Sequence, residues 1–195
     1  MGLPKFRTKI SVEDYLESEK FSPIRHEFVE GEVFAMAGAS DNHGRISTNL
    51  ITLLATHLRN SPCDTFANDI KVRVRPNVYY YPDILVSCEE TPEDPYFRNN
   101  PTLIIEIISK STARVDRTEK VFLYQQIPSL QEYVVVDQYR MEVQVHRRQE
   151  NGGWITYFFN ELDDIVEFTS VDLTIPLPEI YRRVTFEPNA DRDEY

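Results

Sequence analysis

Apolar residues recur along the chain in three patterns. Ile46, Leu50, Leu53, Leu54 and Leu58 fall three or four apart, which places them on one stripe of a long helix capped by Ser40 or Asp41. Strict alternation marks a second class. Ile70, Val72 and Val74 alternate with Asp69, Lys71, Arg73 and Arg75, and this predicts a half-buried strand with a charged outer face. The third pattern is an unbroken run. Residues 103–108 read Leu-Ile-Ile-Glu-Ile-Ile, apolar on both faces, as expected of a strand in the middle of a covered sheet.

The punctuation between these segments fills in the rest. Ser11 followed by Glu13 and Asp14 predicts a helix start, running to about position 19. Residues 26–30 and 32–37 flank Gly31 and read as a hairpin. Residues 79–87 form a strand interrupted by Pro82, and 89–101 are a polar, proline-bearing loop. A helix is predicted over 116–126, then strands over 132–137, 142–147, 154–160 and 165–168. Ile175-Pro176-Leu177-Pro178 closes the core before a short helix at 179–183. The order predicts an α/β fold: a central mixed sheet flanked by helices, with an N-terminal helix and hairpin and additional C-terminal strands. No repeat or linker divides it, so residues 1–187 read as a single domain and 188–195 as an acidic, frayed tail.

Composition narrows the class. Of 195 residues 41% are apolar, and 11 Tyr and 11 Phe against only 6 Gly exclude collagen-like and disordered chains. No run of about 18 apolar residues occurs, so no membrane span is expected, and the first residues lack the apolar centre of a signal peptide. Cys63 and Cys88 form no spacing pattern; neither a disulfide scaffold nor a zinc site is expected, and a cytoplasmic protein with reduced thiols is. The net charge of −11 argues against a polyanionic partner. Its distribution weakens that objection: residues 149–195 hold 3 basic and 11 acidic groups, and the remainder is nearly neutral.

The anomaly is Glu106, a carboxylate inside the apolar strand. Burying it unpaired costs several kcal/mol on a rough scale, so it pairs, protonates or binds a cation. A plain buried ion pair with Arg or Lys is one reading. A second carboxylate, Asp83, follows Pro82 at the start of an apolar strand, where proline interrupts sheet pairing. Two neighbouring strands could aim both acids into one cavity, an arrangement suited to Mg²⁺ or Mn²⁺. Asp116, Lys120 and Tyr124 recur at four-residue spacing and share one face of the following helix; a solvent-facing pair between Asp116 and Lys120 is the plain alternative.

Pro82-Asp83 with Glu106 in a hydrophobic strand 23 residues later resembles the PD-(D/E)XK nuclease signature. In more detail the chain is similar to the Uma-type restriction endonucleases, a large bacterial family with the restriction-endonuclease-like fold. The matching pieces are Arg25-His26-Glu27-Phe28-Val29-Glu30-Gly31-Glu32, Ala39-Ser40 with His43, Pro82-Asp83, Ile105-Glu106-Ile107-Ile108-Ser109 with Ser111-Thr112, then Asp116, Lys120, Tyr124 and Glu132-Tyr133. Leu177-Pro178 to Tyr181 fits the family's ending. A literal Glu-x-Lys would put lysine at position 108, where Ile108 stands. The family's lysine migrates to the next helix, which makes Lys120 the candidate and Lys110 its rival.

The resemblance implies a divalent-metal-dependent endonuclease acting on DNA, with no organic cofactor. Asp83 and Glu106 would hold the metal with the carbonyl of Ile107, and Lys120 would orient the attacking water. Glu27 would be an outer ligand or water-positioning group; an exposed hairpin carboxylate reads equally well. His43, at a helix start, could touch a phosphate or merely cap the helix. Arg114 and Arg117, beside the proposed site, are candidates for phosphate contact. Lys71, Arg73 and Arg75 could track a backbone, but such a stripe is more often the wet side of a sheet. A homodimer is expected because cutting two strands needs two sites. The competing reading is a catalytically silent nucleic-acid or protein-binding module on the same fold.

Overall fold

The computed structural model describes residues 9–36, 38–109 and 117–186. Helix α1 (Val12–Glu19) is capped by the Ser11 side chain, which accepts the Asp14 N–H at 3.0 Å. The hairpin follows: β1 (His26–Val29) pairs with β2 (Glu32–Ala35) across a two-residue turn. Glu30 and Gly31 both take positive φ there, 51° and 93°, as a tight turn matching strand twist requires. Ser40 caps α2 (Asp41–Leu58). Strands β3 (Asp64–Ala67), β4 (Lys71–Arg75), β5 (Val78–Tyr80), β6 (Ile84–Ser87), β7 (Phe97–Arg98) and β8 (Pro101–Ile108) come next. A short α3 (Glu119–Tyr124) leads to β9 (Glu132–Asp137), β10 (Val143–Arg148), β11 (Trp154–Phe159), β12 (Ile165–Phe168), β13 (Leu173–Pro176) and α4 (Leu177–Ile180).

The central sheet has six strands in the order β11-β10-β9-β8-β6-β3. It is mixed: β8 and β9 run parallel, and its other pairs are antiparallel. A five-stranded sheet, β2-β1-β5-β4-β7, and a two-stranded one, β12-β13, accompany it. Both faces of the central sheet are covered, which explains why 103–108 is apolar throughout. Leu103, Ile105 and Ile107 pack with Ile46, Leu50, Leu54 and Leu58 of α2. Ile104 and Ile108 pack on the opposite side with Val72, Val78, Tyr80 and Tyr124. Period-two alternation therefore turns Glu106 toward α3 and the five-stranded sheet.

Several expectations need correction. The predicted 79–87 strand is two strands in two sheets: Pro82 cannot donate to a ladder, and the chain changes sheet there. Strands β3, β7 and β13 were not expected. Lys71, assigned to a wet face, is 3% exposed, because both sides of β4 are partly covered. Leu53 is only partly buried. The terminal helix begins at Leu177, with Pro178 in its first turn. Cys63 and Cys88, expected as free thiols, form a disulfide. They continue the β3–β6 register one step beyond the Asp64–Ser87 pair, so the sheet itself brings them together. The predicted tail at 188–195 lies outside the described residues. Among the described residues no helix is long and apolar enough to cross a membrane.

Candidate active site

Asp83 owes its position to the proline before it. Where Pro82 ends the pairing of β6 with β8, the Ile107 N–H is taken by Asp83 Oδ2 at 2.7 Å. The carboxylate thus stands in for a ladder acceptor. Its other oxygen lies 3.1 Å from His43 Nε2, on the third residue of α2. The Asp83 amide nitrogen is 3.4 Å from Glu106 Oε2, so the Glu106 carboxylate reaches the Asp83 backbone.

Glu106 is 4% exposed. Its Oε1 receives hydrogen bonds from Lys120 Nζ at 3.0 Å and the Tyr124 hydroxyl at 3.1 Å. Lys120 and Tyr124 share a face of α3, and both are buried, at 6% and 0% exposure. The solvent-facing reading of Lys120 therefore fails. The ammonium also sits 2.9 Å from Glu27 Oε1 on β1 and 5.1 Å from the centre of the Tyr80 ring. Glu27 is accordingly part of the cluster, not a free hairpin acid. Burial, with Glu27 and other carboxylates adding to it, pushes the Tyr80 hydroxyl up to about 12. Burial and then Glu106 push Tyr124 well above its ordinary value. Both phenols stay protonated at neutral pH, and that of Tyr124 donates to Glu106.

The predicted residues do not all converge. Asp83, Glu106, Lys120, Glu27 and His43 do. The His43 N–H bonds to Ser40 Oγ at 3.2 Å, so its backbone completes the cap while its ring turns to Asp83. At Ile107 the structure shows the amide engaged; the carbonyl was the expected ligand. Arg117, expected at phosphate, pairs with Asp137 at 2.9 Å and Glu142 at 3.4 Å. Lys110, Arg114 and Asp116 lie outside the described residues. The basic stripe dissolves: Lys71 is buried, Arg73 pairs with Glu93 at 2.7 Å, and Arg75 bonds to Gln126. Tyr80 was not anticipated as a neighbour of Lys120; the Tyr-Tyr-Pro-Asp run was the available signal.

Among the described residues no group of three or more His, Cys, Asp and Glu is arranged to hold a metal. Two adjacent carboxylates with an ammonium against one of them are present, and magnesium is commonly held by one or two carboxylates with water completing the shell.

A family model described as "Putative restriction endonuclease", Uma2, matches residues 12–177. The chain belongs to the Uma2 family. Two relatives from Synechocystis are similar to this Uma2 chain. The uncharacterized protein slr1290 is 34% identical over 182 residues, covering 91% of this chain and 94% of that one. The uncharacterized protein sll1609 is 34% identical over 153 residues, covering 76% and 86%. The fold resembles the crystal structure of a putative nuclease belonging to DUF820 from Anabaena variabilis, with a TM-score of 0.71 at 19% identity, covering 88% of this chain and 97% of that chain. The α/β fold expected from the sequence is thus the one that this Uma2 member adopts.

Proposed function

We propose that this chain is a divalent-metal-dependent endonuclease hydrolysing phosphodiester bonds in DNA, with Asp83 and Glu106 holding Mg²⁺ or Mn²⁺. The observation that carries this reading is the buried Lys120 ammonium between Glu106 and Glu27, with a third acid, Asp83, against Glu106. An apolar core of similar volume would be as stable or more so. A fold that keeps three carboxylates and one amine together where β6 stops pairing with β8 is arranged for chemistry.

What a bound divalent ion supplies is Lewis acidity toward a phosphoryl oxygen and a lowered pKa for bound water. The chain's own groups do the rest. Lys120 Nζ donates to the attacking water and later to the negative charge growing at phosphorus. Glu27 and Glu106 hold the ammonium in place, at 2.9 Å and 3.0 Å. Tyr124 and the Ile107 N–H orient one carboxylate oxygen each, on Glu106 and Asp83. The Ile107 carbonyl is the proposed third ligand, His43 and Arg114 are the proposed phosphate contacts, and a homodimer supplies one site per strand.

The silent-module reading has one observation in its favour. Arg25, Arg45, Arg73 and Arg117 each already pair with a carboxylate. Nicking of supercoiled plasmid with Mg²⁺ or Mn²⁺, together with Mn²⁺ calorimetry, separates the two. Asp83→Asn is the knockout, since its amide oxygen can still accept the Ile107 N–H. We expect metal-dependent nicking by the wild type and at least a hundredfold loss in the variant. A wild type that binds no divalent ion and cuts no duplex, single-stranded or branched DNA refutes the nuclease reading.

A further inference from the structure

A second buried polar cluster lies outside the candidate site. Glu19 at the end of α1, Lys71 on β4 and Tyr81 between β5 and β6 are 3%, 3% and 2% exposed. The Tyr81 hydroxyl accepts from Lys71 Nζ at 3.2 Å and donates to Glu19 Oε1 at 3.2 Å. The same Glu19 oxygen accepts the His26 N–H at 2.8 Å, and Glu19 Oε2 lies 3.0 Å from His26 Nδ1. The His26 carbonyl accepts the Tyr15 hydroxyl at 2.7 Å.

Two buried opposite charges bridged by a phenol are a costly way to fill a core, because apolar side chains of similar volume would do as well. Directional hydrogen bonds in a low-dielectric interior, however, fix geometry more sharply than apolar contact does. What it fixes here is specific. His26 is held through its N–H, its ring and its C=O, and the next residue is Glu27. Tyr81 is held through its hydroxyl, and Asp83 follows after one proline whose ring locks φ. Position 81 is therefore joined to Asp83 through a residue with one fewer free torsion.

We propose that Glu19, His26, Tyr81 and Lys71 are positioning residues that set Asp83 and Glu27 in place around Glu106 and Lys120. The inference rests on the nuclease reading for what those acids do; the mechanical link does not depend on it. Supporting groups of this kind typically change metal affinity or activity by about 10- to 100-fold when removed.

The test is Tyr81→Phe, which deletes the bridging oxygen and keeps the ring. Ile107 reports on Asp83 directly, because its amide proton is bonded to Asp83 Oδ2. Amide hydrogen exchange in the variant should speed up at Ile107 by tenfold or more beyond any change shared with Ile104 and Val134, and Mn²⁺ affinity by calorimetry should fall about tenfold. The double variant Lys71→Met/Tyr81→Phe leaves no uncompensated ammonium and should give the same local signature if the single variant folds poorly. Ser170→Ala is the matched control: it removes a hydroxyl that donates to the fully buried Glu132 at the start of β9. It should lower stability without a local effect at Ile107 or on Mn²⁺ binding. Ile107 exchange that changes only in step with its neighbours overturns the proposal. A wild type without divalent affinity refutes the nuclease reading instead and leaves the exchange result to decide the link.

Discussion

Replacing Lys120 by methionine keeps the length of the side chain and deletes its charge. The ammonium contacts Glu106 at 3.0 Å and Glu27 at 2.9 Å. The two acids differ in access to water: the Glu27 side chain is 18% exposed and that of Glu106 only 5%. Solvent can partly relieve Glu27 but not Glu106, so the loss is that of one buried carboxylate left without its cation. Breaking such a pair costs about 3–5 kcal/mol, and the lower end applies because Tyr124 still donates to Glu106. A loss of about 3 kcal/mol corresponds to a fall in Tm of roughly 6–12 °C for a domain this size. Urea titration followed by circular dichroism at pH 7 without divalent ions measures it. The double variant Glu106→Gln/Lys120→Met removes the stranded charge and should recover about 2 kcal/mol of the loss. A single variant that loses less than about 1 kcal/mol, or a double variant no more stable than the single, refutes the buried-amine geometry.

Two further outcomes follow from groups away from the site. Burial lowers the His146 pKa, so the native state keeps the ring neutral while the unfolded chain takes up a proton near pH 6.5. Stability is then intact above about pH 6.5 and declines below it, until the native imidazole also titrates. His146→Phe should flatten the fall in urea midpoint between pH 7.5 and 5.5, and equal slopes in both proteins would count against this. The Cys63–Cys88 bond spans 25 residues and should contribute about 3 kcal/mol by restricting the unfolded chain. Reduction, or Cys63→Ser/Cys88→Ser, should lower Tm, and an unchanged melting curve would refute it.

Glu106 and Lys120 were legible for local reasons. A carboxylate in an otherwise apolar strand needs a partner, and a lysine four residues before a tyrosine on the next helix shares its face. The destinations of Asp83 and His43 were only half legible. Pro82 announces a break in pairing, but no local pattern says that the chain leaves one sheet for another. Nothing in α2 shows that the His43 ring will reach Asp83, a contact between residues 40 apart in sequence. Lys71 was misplaced because alternation predicts two faces without telling how many are covered. The disulfide was invisible because the two cysteines meet only through the β3–β6 register, which short strands such as Asp-Thr-Phe-Ala do not declare. The link from Glu19 through Tyr81 to Lys71 joins three elements and exists only after folding.

Glu27 belongs to one sheet and Glu106 to the other, while Lys120 on α3 grips both. The amine is therefore a rivet between the two sheets. Sheet alignment and site assembly become a single mechanical variable. A bound molecule that wedges the two sheets apart would draw one acid off the lysine and break the cluster without touching it.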